Sequence, residues 1–74
     1  MEIISNGVEK LRSDRQITQE QLAQAVGVSR QTIIAMEKGN YTPSVLLAIK
    51  IAKFFKCPVE DVFKIVEIIT KKYA

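Results

Sequence analysis

The chain has 74 residues, enough for one domain with a modest core. Its single cysteine excludes an intrachain disulfide, and the lack of histidine excludes Cys/His zinc sites and histidine-based catalytic triads. A net charge of +3 and a pI of about 9.2 permit a polyanionic partner without requiring one.

Residues 1–4 end in β-branched isoleucines and read as extended. Ser5 or Asn6 can cap a first helix, with Asn6 and Glu9 at capping-box spacing. Val8 and Leu11 give that helix its buried face, and it should end near Arg15. Thr18, with Gln21 three residues on, completes a second capping box and opens a helix to about Ala25. Ser29 caps a third helix, which should run to Lys38 with Gly39 as a left-handed stop. Leu22, Val26, Val28, Ile33 and Met36 form the apolar side of these two helices. Ala23 is small where they would cross, and Gly27 stands where the chain must turn.

Residues 40–43 read as a loop, after which Ser44 caps a fourth helix. Leu46, Leu47, Ile49, Ile51, Ala52 and Phe55 spread around that helix, which predicts the central and most buried one. Pro58 opens a short fifth helix over residues 59–62, with Glu60 and Asp61 at its positive end. Residues 63–73 are rich in β-branched types, which favours a strand, although Val62, Val66, Ile69 and Tyr73 also fit helical spacing. A strand there can pair with residues 1–4, because a lone strand leaves its backbone groups unsatisfied. The expected fold class is all-α: a compact five-helix domain containing a helix-turn-helix, to which the terminal segments can add a small two-stranded sheet. One domain should span residues 1–74, with its core over 5–63 and an extended, dimer-related segment over 64–74.

Enzymatic chemistry is not indicated. The acidic residues are scattered, and Glu60 and Asp61, being adjacent on a helix, do not share a face. The three glycines are isolated, so no phosphate-cradling loop is present. Cys57 has no recognisable activating base and reads as an inert, buried or half-buried thiol. No cofactor and no metal are expected. No signal peptide is visible, and no apolar run approaches the roughly 20 residues that span a bilayer. The cytoplasm is therefore the default compartment.

The second helix of the pair, beginning Ser29-Arg30-Gln31-Thr32, presents polar groups at its front end, as a helix entering the DNA major groove does. Over residues 8–63 the chain resembles the phage-repressor and Cro-like helix-turn-helix family of transcriptional regulators. The resemblance is carried by TQEQLAQAVGVSRQTI, by AMEKG, by NYTPSVLLAIKIAKFF and by CPVEDVF.

The resemblance implies that Arg30, Gln31 and Thr32 read bases. Arg can hold guanine O6 and N7, and Gln can hold adenine N6 and N7. Arg30 can instead grip phosphate. Ile34 and Ala35 would touch thymine methyl groups, or Ile34 would pack on Tyr41. Gln19 and Ser29, with Lys38, Asn40, Tyr41, Thr42 and Ser44 of the following loop, would hold the sugar-phosphate backbone. The same residue types also suit a plain solvated helix start and an ordinary helix-to-helix turn. Arg12 and Glu37 look like the family's partly buried ion pair. Gln16 stands where the family commonly has a glycine at a left-handed helix stop.

The implied function is sequence-specific regulation of transcription through double-stranded DNA, by a homodimer on a near-palindromic operator. Its dimer surface would combine Phe54, Phe55, Cys57, Pro58 and Val59 with Ile65, Val66, Ile68 and Ile69. One alternative is an antitoxin-type protein-interaction module with autoregulatory DNA binding. Another is a structural helical domain that binds no DNA.

Overall fold

The computed structural model describes residues 1–68. In chain order the elements are β1 (Glu2–Asn6), α1 (Val8–Asp14), α2 (Gln19–Val26), α3 (Arg30–Glu37), α4 (Val45–Phe55), α5 (Val59–Val62) and β2 (Phe63–Glu67).

The helix starts follow from side-chain oxygens placed to accept orphan backbone N–H groups. Thr18 Oγ1 accepts from Gln21 N at 3.0 Å while Gln21 Oε1 accepts from Thr18 N at 2.8 Å, which completes the expected capping box. Ser29 Oγ accepts from Thr32 N at 3.2 Å, and Ser44 Oγ accepts from Leu47 N at 3.1 Å. The first helix starts differently from its expected pattern. Gly7 takes the N-cap place, and Asn6 Oδ1 accepts from Val8 N at 3.1 Å rather than joining Glu9 in a capping box.

Gly27 and Gly39 are left-handed, at φ of 78° and 83°, as their positions after α2 and α3 require. Gln16 is left-handed too, at φ of 56°, and so is Lys56 at 58°. For residues with a Cβ this conformation costs about 1–2 kcal/mol. Gln16 is exposed. Gln16→Gly is therefore expected to raise the thermal midpoint, by up to about 1 kcal/mol of stability once the greater freedom of the unfolded glycine is counted. A lower midpoint in a calorimetric scan would show that the strain is relieved in some other way.

Val8, Leu22, Ala23, Val26, Ile33, Met36, Leu47, Ile51, Ala52, Phe55 and Val62 form the buried core. The fourth helix supplies more of the core than any other helix, as expected of the most buried one, but it is not buried all round. One flank, Leu47, Ile51, Ala52 and Phe55, is buried, while Val45 and Leu46 are 76% and 64% exposed and Ile49 is exposed beside them. A domain this small has no second layer to cover that outer side.

The tail resolves as a strand through Glu67, antiparallel to β1, with Glu2 opposite Glu67, Ile4 opposite Ile65 and Asn6 opposite Phe63. Its ends are closed by Gly7 N donating to Val62 O at 2.9 Å and Ile68 N donating to Met1 O at 2.7 Å. Ile69 and Tyr73 lie outside the described residues. The cross-strand pairing of Glu2 with Glu67 opposes like charges. The Met1 ammonium, 2.6 Å from Glu67 Oε2, offsets it. Among the described residues, no helix is long and apolar enough to cross a membrane.

Candidate nucleic-acid interface

The α2–α3 unit is held by buried contacts among Leu22, Ala23, Val26, Ile33 and Met36, which set the inner side of α3. At 3.6 residues per turn, positions 30, 31, 34, 35 and 38 fall on the opposite side. They carry Arg30, Gln31, Ile34, Ala35 and Lys38. Arg30, Gln31 and Lys38 are exposed, and Ile34 and Ala35 are half-buried. Among the described residues, no hydrogen bond or ion pair engages the side chains of Arg30, Gln31 or Lys38. Thr32 falls off this row, toward Met36. It is half-buried, and its hydroxyl lies 3.1 Å from Ser29 Oγ. The helix start thus divides into a cap, Ser29 with Thr32, and an uncommitted pair, Arg30 with Gln31.

Gln19, at the front of α2, does not stand free. Its Nε2 donates to Glu37 Oε1 at 3.1 Å. A primary amide has two N–H groups, so one remains for a phosphate while the other fixes the side chain. Glu37 is also held by Arg12, whose Nε donates to Oε2 at 2.8 Å and whose Nη2 donates to Oε1 at 3.1 Å. Arg12 Nη1 donates to Ile17 O at 2.9 Å. The two charged side chains are 13% and 5% exposed. The hydrogen bond to Glu37 raises the Arg12 guanidinium above its ordinary pKa, desolvation opposes this, and the Glu37 and Glu9 charges add to the rise. A raised pKa in the folded state means that its contribution is complete below the ordinary arginine range and is lost only as pH climbs beyond it. The guanidinium is therefore a constant of the site at neutral pH.

Sequence reasoning found the Arg12–Glu37 pair but missed the tie from Gln19 to Glu37, which joins α2 to α1 and α3. It also missed Asn6 Nδ2 donating to Met36 O at 2.9 Å, which pins β1 to the end of α3. No local signal marks either contact, since the partners are 18 and 30 residues apart.

After α3, Asn40 N donates to Ala35 O at 2.8 Å and reverses the chain. Lys38, Asn40, Tyr41, Thr42 and Ser44 are all exposed along this turn. Ser44 Oγ serves as a cap acceptor, which leaves its hydroxyl hydrogen available.

The residues expected at a dimer surface separate. Phe55 is 2% exposed, with its ring edge-on to Phe54 at 5.1 Å and the Arg15 guanidinium 5.2 Å above it. It is a core residue and is withdrawn from that surface, because its side of α4 faces the bundle. Phe54, Cys57 and Val59 are partly buried against the core, while Pro58 is exposed. Ile65, Val66 and Ile68 are exposed, and Ile69 lies outside the described residues.

A helix-turn-helix family model matches residues 8–62, from the first residue of α1 to the last of α5. The chain belongs to the phage-repressor and Cro-like helix-turn-helix family. This regulator is 55% identical over 60 residues to an uncharacterized HTH-type transcriptional regulator of Methanocaldococcus jannaschii, covering 81% of this chain and 91% of that one. It is 34% identical over 59 residues to the cryptic phage CTXphi transcriptional repressor RstR of Vibrio cholerae, covering 80% of this chain and 53% of the repressor. Its fold superposes on the crystal structure of the transcriptional regulator VanUg with a TM-score of 0.71 at 26% identity, over 88% of this chain and 87% of that one. The two strands of this helix-turn-helix regulator lie outside the matched segment.

Proposed function

We propose that this helix-turn-helix regulator binds double-stranded DNA sequence-specifically, as a homodimer on a near-palindromic operator, with α3 in the major groove. The observation that carries the reading is the outward row of α3. It offers Arg30 and Gln31, exposed and uncommitted, at the front of a helix held rigidly from behind. Both can make two parallel hydrogen bonds to a base edge, Arg30 to guanine and Gln31 to adenine. Ile34 and Ala35, one turn further on, supply apolar contact for thymine methyl groups. Thr32 contributes through the cap with Ser29 more than as a reader. Gln19, Lys38, Asn40, Tyr41, Thr42 and Ser44 hold the two sugar-phosphate strands that flank the groove.

One helix reads only a few base pairs, so two copies are needed for useful discrimination. The exposed Ile65, Val66 and Ile68 belong to the dimer surface, with Phe54, Cys57, Pro58 and Val59 at its margin. Regulation is by occupancy of the operator.

Selection of random duplex DNA on the purified protein tests this reading. The expected product is a pair of inverted half-sites whose centres lie about 34 Å apart, one turn of the duplex. Enrichment of a single unpaired half-site would overturn the homodimer, and failure to enrich any sequence would overturn specific binding.

A further inference from the structure

Among the described residues, three apolar surfaces are exposed: the outer side of α4, the Ile4–Ile65 face of the β1–β2 ribbon and its Ile3–Val66 face. The first is the outer side of α4, where Val45, Leu46 and Ile49 are 76%, 64% and 41% exposed. Further along the same side stand the exposed Lys50 and Lys53, at helical spacings of four from Leu46 and Ile49. The second is one face of the β1–β2 ribbon. There Ile4 and Ile65 are cross-strand partners, 45% and 71% exposed, and Glu2 and Glu67 are partners two positions further on, on the same face.

Each of these two surfaces is thus an apolar centre with a charged end: two lysines on α4, and on the ribbon Glu2 with Glu67, whose charge the Met1 ammonium partly offsets. An α4-to-α4 contact between copies would bring four lysines into one interface. A ribbon-to-ribbon contact through this face would likewise gather its glutamates. The ribbon face of one copy on the α4 face of the other puts isoleucines against Val45, Leu46 and Ile49, and Glu2 and Glu67 near Lys50 and Lys53.

We propose that a second copy of this chain is the occupant, with the acidic ribbon of each copy lying across the lysine-ended α4 face of the other. Used twice about a two-fold axis, such a contact would cover both surfaces in both copies. The inference rests on the homodimer reading and narrows its surface: Ile65 stays in the contact, whereas Val66, on the opposite face of the ribbon, and Ile68, beyond the strand, are not part of it.

The test is sedimentation of the full chain without DNA, over a range of concentrations. Val45→Glu places an acid in the first turn of α4, where the helix dipole favours it, so the monomer keeps its fold, as circular dichroism will confirm. It is expected to raise the dimer dissociation constant by about tenfold or more. Lys53→Glu is expected to weaken the dimer as well. Glu2→Lys combined with Lys53→Glu is expected to restore it, because Glu2 itself faces Glu67 and its reversal does not harm the ribbon. A dimer unaffected by Val45→Glu and Lys53→Glu overturns this interface and leaves the homodimer standing. A dimer weakened by both and not restored by the double substitution overturns the ribbon as the occupant. A parent chain that is monomeric at every concentration overturns the homodimer and this interface together.

Discussion

Glu37→Ala is expected to destabilise the domain by about 2–3 kcal/mol, the cost of leaving a partly buried charge without its hydrogen-bonded partner. Three consequences combine. The Arg12 guanidinium, 13% exposed, loses both of its hydrogen bonds to the carboxylate and keeps only Ile17 O. Gln19 Nε2 loses its anchor. The link from α1 to the end of α3 is cut. For a domain of this length the loss corresponds to a fall in thermal midpoint of more than about 10 °C, which a calorimetric scan measures directly. Replacing both partners, Arg12→Met with Glu37→Leu, is expected to be far milder than either single loss, since no charge is then stranded. If the single and double variants melt alike, the pair is better solvated than its burial indicates. At temperatures where Glu37→Ala is still folded, it is also expected to weaken binding to DNA of any sequence, because Gln19 is then free to wander from the phosphate it is proposed to hold.

Gln31→Ala is expected to cost about 1–3 kcal/mol on the operator and almost nothing on random duplex DNA. Gln31 is exposed and on the outward row of α3, so its removal leaves the fold intact and deletes one pair of base-edge hydrogen bonds. Lys38→Ala is the informative contrast. A lysine at the start of the loop contributes a charge to phosphate, so its loss should weaken all sequences alike and reduce the slope of log affinity against log salt by about 1. Gel shifts on both DNAs at several salt concentrations separate the two roles. Equal losses for Gln31→Ala on operator and random DNA would sink its assignment as a reader.

Much of the architecture was legible because it is decided over three or four residues. Thr18, Ser29 and Ser44 cap helices by bonding an N–H three positions on, as Thr18 to Gln21 and Ser44 to Leu47 show, and such contacts depend on nothing distant. Gly27 and Gly39 mark left-handed turns for the same local reason, and Gln16 was recognisable as an exception because a glycine was expected in its place. The β-branched content of the tail pointed to a strand, and the structure bears this out through Glu67. The row Arg30, Gln31, Ile34, Ala35 and Lys38 also follows from helical periodicity once α3 is located.

The chain by itself therefore determined its five helices, the caps of α2, α3 and α4 and the left-handed turns at Gly27 and Gly39, but not the start of α1 at Gly7. Tertiary structure alone decided which side of each apolar helix is covered. Composition made α4 the buried centre of the domain, yet Val45, Leu46 and Ile49 are exposed while Phe55, expected at a surface, is in the core. Tertiary structure also decided that Gln19 leans on Glu37. The physical reason is the same in each case. Capping and periodicity are properties of neighbouring residues, whereas burial and long-range hydrogen bonding depend on how many layers the whole chain can build and where they meet.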